Sequence, residues 1–491
     1  MKKLALLFLF LFLALLLYQF FGQPFGQSFD LVITGGRVID PASNTNAVMN
    51  IGIKDGTITN LSTKPLSGAI SINAAGKTVA PGFIDLHTHS PFPFGEELQA
   101  RDGVTTALDL EAGAFPISAY GGFIRNKAHA NYGSSVGHYA IRMKVIEGKE
   151  QPYLITEQGS LVPGPAFSEQ ATPEQIDQIR KMLHEGIDQG GIGIGLLLDY
   201  MSSAISDAEL RMIFEVAKER DVVIWAHIRR GVNGDIQPLM DILNLSRETG
   251  ASLHICHINA NAMGEIDDWL KAIDEANKLG ADVTTELFLY TAGSTSISAD
   301  VFNRDWQTIF GITYEDVQWA ETGEYLTQET WEEKRKNRPD GIVIHHYMNE
   351  DWLKIGLQYP GMIVATDAMP ALNAQQKAVP NGAGNYTRLL AKYVRDEKVL
   401  SLEEAIAKGS YFPARRLEPF APAFAKKGRI QVGADADLLV FDLENLQDHA
   451  TYTDPYQKST GWDYIIVNGR VVFDHDEPTK ERPGNKILAA N

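Results

Sequence analysis

Between about residue 83 and residue 417 the chain alternates short apolar runs with amphipathic segments, and this rhythm leaves few folds open. Thr172, Pro173, Glu174 and Gln175 supply an N-cap, a proline for the first helical turn and a capping-box glutamine, and Ile176, Ile179, Met182 and Leu183 follow at helical spacing. This helix is expected to stop near Gly190 and Gly191, ahead of the strand-like IGIGLLLDY. A helix over about 207–220, the strand VVIWAH, a helix around 235–249, the strand SLHICH and a helix over 263–279 continue the pattern. Near-continuous apolar strands separated by helices form a parallel sheet covered on both faces. A repeat of about 30 residues accommodates eight such units, so the expected fold is α/β, a (β/α)8 TIM-like barrel over 83–417. The stretch from Thr291 to about Arg338, rich in Trp, Thr and Glu, suits no barrel strand and is expected as a lid-like loop excursion over the active-site face.

Both flanks have a different texture. LVITGGRVID around Gly35-Gly36, NIGIKDGTITNL around Asp55-Gly56 and YIIVNGRVVF around Asn468-Gly469 carry β-branched residues on either side of dipeptides that signal hairpin turns. Residues 29–82 and 418–491 are therefore expected to share one small β-sandwich domain, with the barrel inserted between its halves. At the extreme N-terminus Lys2 and Lys3 precede an unbroken apolar run from Leu4 to Leu17. That is the pattern of an export signal, shorter than the ~20 residues that span a bilayer comfortably. No small-x-small cleavage site follows, so residues 1–28 are expected to be a signal peptide or an uncleaved membrane anchor. In either case the barrel is expected outside the cytoplasm, periplasmic or tethered to the membrane. With 44 Lys+Arg against 62 Asp+Glu the net charge is −18, which argues against nucleic acid as a partner. The single cysteine, Cys256, excludes an intrachain disulfide.

The chemistry gathers at strand ends. His87-Thr88-His89 closes the apolar run FIDLH, and residues i and i+2 of a strand share a face, so both imidazoles can reach one metal at the barrel mouth. A chance polar pair at a strand end is the plainer alternative. His227 and His257 close the strands VVIWAH and SLHICH one βα unit apart, where a barrel keeps its reactive groups. Asp367 ends the strand MIVATD; alternatively it caps a helix. His254 is expected to be a structural histidine or one that supports the site from behind, and Cys256, alternating to the other side of its strand from His257, to be a packed core thiol.

Taken in order, APGFIDLHTHS, GVTTALDLEAG, SVGHYAIR, AHIRR, HICHIN, YTAGST, ATDAMP, KKGRIQVGADADLLVFD and NGRVV resemble the amidohydrolase superfamily, and within it the D-aminoacylase (N-acyl-D-amino-acid deacylase) family, over nearly all of residues 30–488. The resemblance implies a zinc centre of one or two ions, with His87, His89 and Asp367 around one position, His227 and His257 around a second, and a bridging side chain after GVTT. The family's usual bridge is a cysteine, but Ala112 stands at that place. Glu111 is expected to bridge instead, since two carboxylate oxygens can span two cations. Lys144 is the nearest candidate for the carboxylated lysine used elsewhere in the superfamily.

The implied function is hydrolysis of the amide bond of N-acyl-D-amino acids or related small amides by a zinc-activated hydroxide. Asp367 is expected as general base and then acid, and Tyr290 as a donor to the developing oxyanion, with core packing of its ring as the alternative. Tyr200 and Arg229, with Arg230 beside it, are pocket candidates. Family members bind the substrate carboxylate with two basic residues, at places that hold Asn259 and Asn381 here. Each charge-assisted hydrogen bond lost is worth about 1.5–3 kcal/mol, so either Arg229, Arg230 or Lys377 has taken over or the substrate lacks that carboxylate. A cyclic-amide (hydantoinase- or dihydropyrimidinase-like) or D-dipeptide hydrolase is the second reading. A membrane-tethered binding protein on a retired hydrolase scaffold is the third. The oligomeric state is open.

Overall fold

The structure, a computed structural model, describes residues 29–489 apart from 157, 158, 161, 162 and 376, so residues 1–28, expected from sequence to be a signal peptide or membrane anchor, lie outside the described residues. Among the described residues no helix is long and apolar enough to cross a membrane.

Eight parallel strands follow one another around a barrel: Phe83–Asp85, Val104–Ala114, Asn131–Gly137, Ile194–Leu197, Val223–His227, Ser252–Ile255, Val283–Leu287 and Ile363–Val364. The ring closes just beyond the first and eighth strands, where Thr88 bridges Ala368 and the His89 N–H donates to the Ala368 carbonyl over 2.8 Å. The helices between strands form where the sequence supplies their ends. Thr172 and Gln175 make the reciprocal capping box of Pro173–Asp188, and Ser206 accepts from the Glu209 N–H to start Asp207–Arg220. Gly250, in the left-handed region at φ 72°, ends Gln237–Thr249. Strand residues Ile194, Leu196, Ile224, Leu253 and Ile255 join Ile179, Leu183, Ile213, Leu239 and Trp269 of the helices in one buried core.

The chain ends pair in one continuous nine-stranded sheet, in which Leu438–Phe441 from the C-terminal part lies antiparallel to Thr78–Pro81 from the N-terminal part. Ile33, Ile51, Ile72 and Val79 from one side and Leu438, Val440 and Ile466 from the other share a single core. Two hairpin turns form as expected. Asp55 and Gly56 have φ 50° and 76°, and Asn468 and Gly469 have φ 48° and 73°, the double positive-φ turn that suits right-twisted strands. These turns abut: a Cβ on Gly56 would stand 2.9 Å from the Asn468 carbonyl oxygen. Gly35-Gly36, by contrast, is no turn. It is a bulge within one long strand, Phe29–Asp40, that lets its first half pair with Gly68–Asn73 and its second with Thr78–Pro81.

Two other segments differ from the expectation. The excursion after the seventh strand is an ordered substructure, not a loop. Gly293–Ser296, Val317–Trp319 and Ile342–His345 form a three-stranded antiparallel sheet, beyond the Arg338 limit read from sequence. Its aromatic residues explain this, because Trp306 stacks on Trp331 at 5.0 Å between ring centroids and both pack with Phe302 in a core of their own. The last residues leave the terminal sheet and run along the barrel. The Ile487 N–H donates to the Tyr132 carbonyl over 2.7 Å and the Ala489 N–H to that of Gly190 over 2.9 Å, while both side chains pack with Leu108, Ile192 and Trp225. Ile487→Ala should therefore lower the unfolding free energy by about 2–4 kcal/mol. Urea denaturation checks this, and an unchanged midpoint would show that the tail is no part of the barrel core.

Candidate metal centre

Five strand ends deliver the side chains that meet at the barrel mouth. The first supplies His87 and His89, the second Glu111, the fifth His227, the sixth His257 and the eighth Asp367. Strand alternation alone does not carry His257 there. Its backbone is left-handed at φ 32°, as is that of Asp367 at φ 50°, and each such residue costs on the order of 1–3 kcal/mol. This kink also corrects the expectation for Cys256. The thiol is buried in an apolar cluster with Leu86 and Trp225, but it lies on the side of the site, grouped with His87 and Glu286 within 4.8 Å, because the change of hand at His257 undoes the alternation.

The Glu111 carboxylate stands between the two histidine pairs. One oxygen lies 2.9 Å from His227 Nδ1 and 2.8 Å from His257 Nε2; the other lies 3.2 Å from His87 Nε2 and 3.3 Å from His89 Nε2. Within each pair two ring nitrogens approach closely, 3.2 Å for His87 and His89 and 3.0 Å for His227 and His257. Two ligands about 2.0–2.1 Å from one tetrahedral zinc stand ~3.3 Å apart, so both nitrogen pairs fit a shared cation. Asp367 Oδ1 adds a donor 3.3 Å from His87 Nε2 and 3.8 Å from His89 Nε2.

The outer nitrogens of the histidines face oxygen. His87 Nδ1 meets Glu286 at 2.6 Å, His89 Nδ1 meets Asp109 at 3.3 Å, and His257 Nδ1 meets Asn261 Oδ1 at 3.0 Å, contacts that aim the inner nitrogens at the cluster. His227 Nε2 has Asp199 at 4.0 Å. Behind them, His254 holds Glu286 at 3.2 Å, as a supporting histidine should. Asp85 ties the first strand to the eighth through the Thr366 N–H at 2.9 Å and its hydroxyl at 2.5 Å. Burial opposes charge on His87, but Glu111, Asp367 and Glu286 hold its pKa well above the usual histidine value. Burial is likewise overcome at His89, chiefly by Asp109, and its pKa rises to about 10. Burial instead prevails at His227, whose pKa falls. Glu111, despite burial, is held well below the carboxylate range by His87 and His227. The His87–His89 pair thus has four carboxylates around it, Glu111, Asp367, Glu286 and Asp109.

The cleft beside the cluster is lined by His89, Glu111, His227, His257 and Asp367 together with Tyr200, Arg230, Tyr347 and a wall of apolar side chains. Tyr200 packs its ring edge-on to His227 at 4.9 Å and its hydroxyl lies 3.1 Å from Thr295 Oγ1. Five other residues singled out in the sequence do not line it. The Tyr290 hydroxyl donates to Asp448 over 3.0 Å with Arg388 over its ring at 4.7 Å. Arg229 donates to the carbonyls of Ser202 and Ile205, which turns it away. Asn259 donates to the Phe288 carbonyl over 3.1 Å, and Asn381 is buried at the start of the helix Asn381–Arg388. Lys144 is exposed and paired with Glu150 at 2.9 Å. Sequence reasoning missed Asp109, Glu286 and Asp199; only Asp199, at the end of LLLD, follows the signal used for Asp367, a carboxylate closing an apolar run.

No protein-family model matches the chain. An N-acyl-D-glutamate deacylase of Alcaligenes xylosoxydans xylosoxydans is 28% identical over 93% of this chain and 96% of its own length. A D-aminoacylase of the same organism is 25% identical over 95% of this chain and 99% of its own. The crystal structure of N-acyl-D-glutamate deacylase from Bordetella bronchiseptica, complexed with zinc and a phosphonate inhibitor, superposes with a TM-score of 0.77 at 25% identity, covering 94% of this chain and all of that one (100%). In sequence and in fold, along nearly its whole length, the chain is thus similar to D-aminoacylases and N-acyl-D-glutamate deacylases of the amidohydrolase superfamily, and it carries two histidine pairs flanking one buried carboxylate.

Proposed function

We propose that the protein hydrolyses the amide bond of N-acyl-D-amino acids or closely related small amides at a zinc centre. The observation that carries this reading is the Glu111 carboxylate with one oxygen on each histidine pair, an arrangement that sets metal donors on both sides of one bridging group beside an open cleft. Bound zinc supplies two things: a coordinated water acidified toward a pKa of about 7 and polarisation of the amide carbonyl. The protein side chains do the rest. His87, His89, His227 and His257 with Glu111 and Asp367 hold the ions, and the oxygens behind three of the imidazoles fix their orientation. Asp367 is the one carboxylate of the cluster with an open edge, its side chain 27% exposed against 4% for Glu111. It therefore takes the proton of the attacking water and returns it to the leaving nitrogen. Tyr200, rather than Tyr290, is placed to donate to the carbonyl oxygen as charge develops there, and burial keeps its phenol protonated by raising its pKa.

Export is proposed on the N-terminal pattern alone, Lys2-Lys3 followed by Leu4 to Leu17, as a signal peptide or membrane tether that leaves the barrel in the periplasm. Fusing residues 1–28 to a reporter active only after export checks it, and a reporter retained in the cytoplasm would refute it.

Zinc-loaded protein should release free amino acid from an N-acyl-D-amino acid faster than it opens a hydantoin or dihydropyrimidine or cleaves a D-dipeptide. Asp367→Asn should lower kcat by about 10²–10⁴-fold. A wild-type rate in that variant would remove the proton-transfer role. Glu111→Gln should lower the zinc bound per chain, measured by elemental analysis of the purified protein. Wild-type zinc content in this variant would show that the carboxylate does not bridge.

A further inference from the structure

In the same cleft a guanidinium stands with one end unused. Arg230 follows the fifth strand, and its charge is only partly met. Nε is 3.4 Å from Asp199 Oδ2, but Asp199 makes its shorter contact, 2.8 Å, to Arg304, so one buried carboxylate serves two arginines. Arg304 in turn has Asp300 at 3.7 Å. Arg230 Nη1 donates to the Ala260 carbonyl and to the Tyr347 hydroxyl at 3.3 Å. Nη2 has no hydrogen-bond partner among the described residues. The side chain is 10% exposed and lines the cleft.

The guanidinium is held rigid as well as open. It lies over the rings of Phe310 at 5.4 Å and Tyr347 at 5.9 Å, and the Arg230 N–H donates to Asp199 Oδ1 over 2.9 Å. It is also near the reacting centre, because Asp199 Oδ2 lies 4.0 Å from His227 Nε2 and 3.4 Å from Arg230 Nε. An immobilised cation one side chain away from a metal-site histidine, in a cleft walled on one part by apolar side chains, selects an anion close to the scissile bond. A chain of net charge −18 gains nothing from its global field in attracting such a group, so the selection is local.

Resting on the reading of the site as an amide hydrolase, we propose that Arg230, supported by Tyr347 and Asp199, is the specificity-determining residue that takes the carboxylate of the substrate. Asn259 and Asn381 do not line the cleft and play no part in it. The substrate class is then an N-acyl amino acid with a free carboxylate and an apolar side chain.

The test uses the zinc-loaded protein and two probes it cannot hydrolyse at the reacting bond, N-methanesulfonyl-D-leucine and its neutral carboxamide, with binding measured by calorimetry. Wild type should bind the acid about 10–100-fold more tightly than the carboxamide. In Arg230→Met this ratio should collapse toward one, and Arg230→Lys, which keeps the charge without the fork, should retain part of it. Wild type that binds both probes alike, or Arg230→Met with its preference intact, would overturn the assignment. Zinc content of each variant confirms a folded centre. A zinc-loaded wild type that hydrolyses no N-acyl-D-amino acid while keeping the binding ratio would instead sink the hydrolase reading and leave Arg230 as an anion anchor.

Discussion

The site depends on one carboxylate buried among four imidazoles. Taking Glu111 out of water is costly unless positive charge meets both oxygens, and the two histidine pairs are spaced to gather that charge on either side of it. Much of the surrounding barrel mouth serves this placement. Asp85 ties the first strand to the eighth so that His87 and Asp367 lie together, Glu286 and His254 hold His87 from behind, and the left-handed backbone at His257 and Asp367 brings in two donors that regular strands would direct elsewhere. Strain of this kind persists where the surrounding packing over-determines the conformation, and both residues lie among buried neighbours.

The barrel was legible because its strands and helices follow their two periods without interruption and because the helix caps are local. Thr172 and Gln175 do in the structure what their spacing says. The terminal hairpins at Asp55-Gly56 and Asn468-Gly469 were legible for the same reason, since both central residues tolerate positive φ. Gly35-Gly36 misled because a glycine pair serves a bulge as well as a turn, and only the partner strands decide which. The excursion after Thr291 misled in another way. Its aromatic residues are spread over more than 40 positions, and a core of Phe302, Trp306 and Trp331 forms only once the chain has folded back on itself.

At the site, sequence reasoning found the groups whose position follows from strand ends and erred where orientation depends on tertiary partners. His87, His89, His227, His257 and Glu111 converge, and Asp367 joins them. Tyr290 is drawn away by Asp448 and Arg388, and Arg229 by two backbone carbonyls, contacts across many residues that no local pattern announces. Arg230, one position along, reaches the cleft instead. The reacting centre and the groups that choose the substrate thus differ in kind: the first is built on strand ends common to the fold, the second on what the connecting segments after those strands happen to present.

Diffraction from zinc-loaded crystals, with anomalous data collected on either side of the zinc edge, tests the central claim most directly. The account predicts zinc density beside the Glu111 carboxylate, at the His87–His89 position, at the His227–His257 position or at both. Glu111 hydrogen-bonded to protonated histidines, with zinc absent or bound elsewhere, would contradict it.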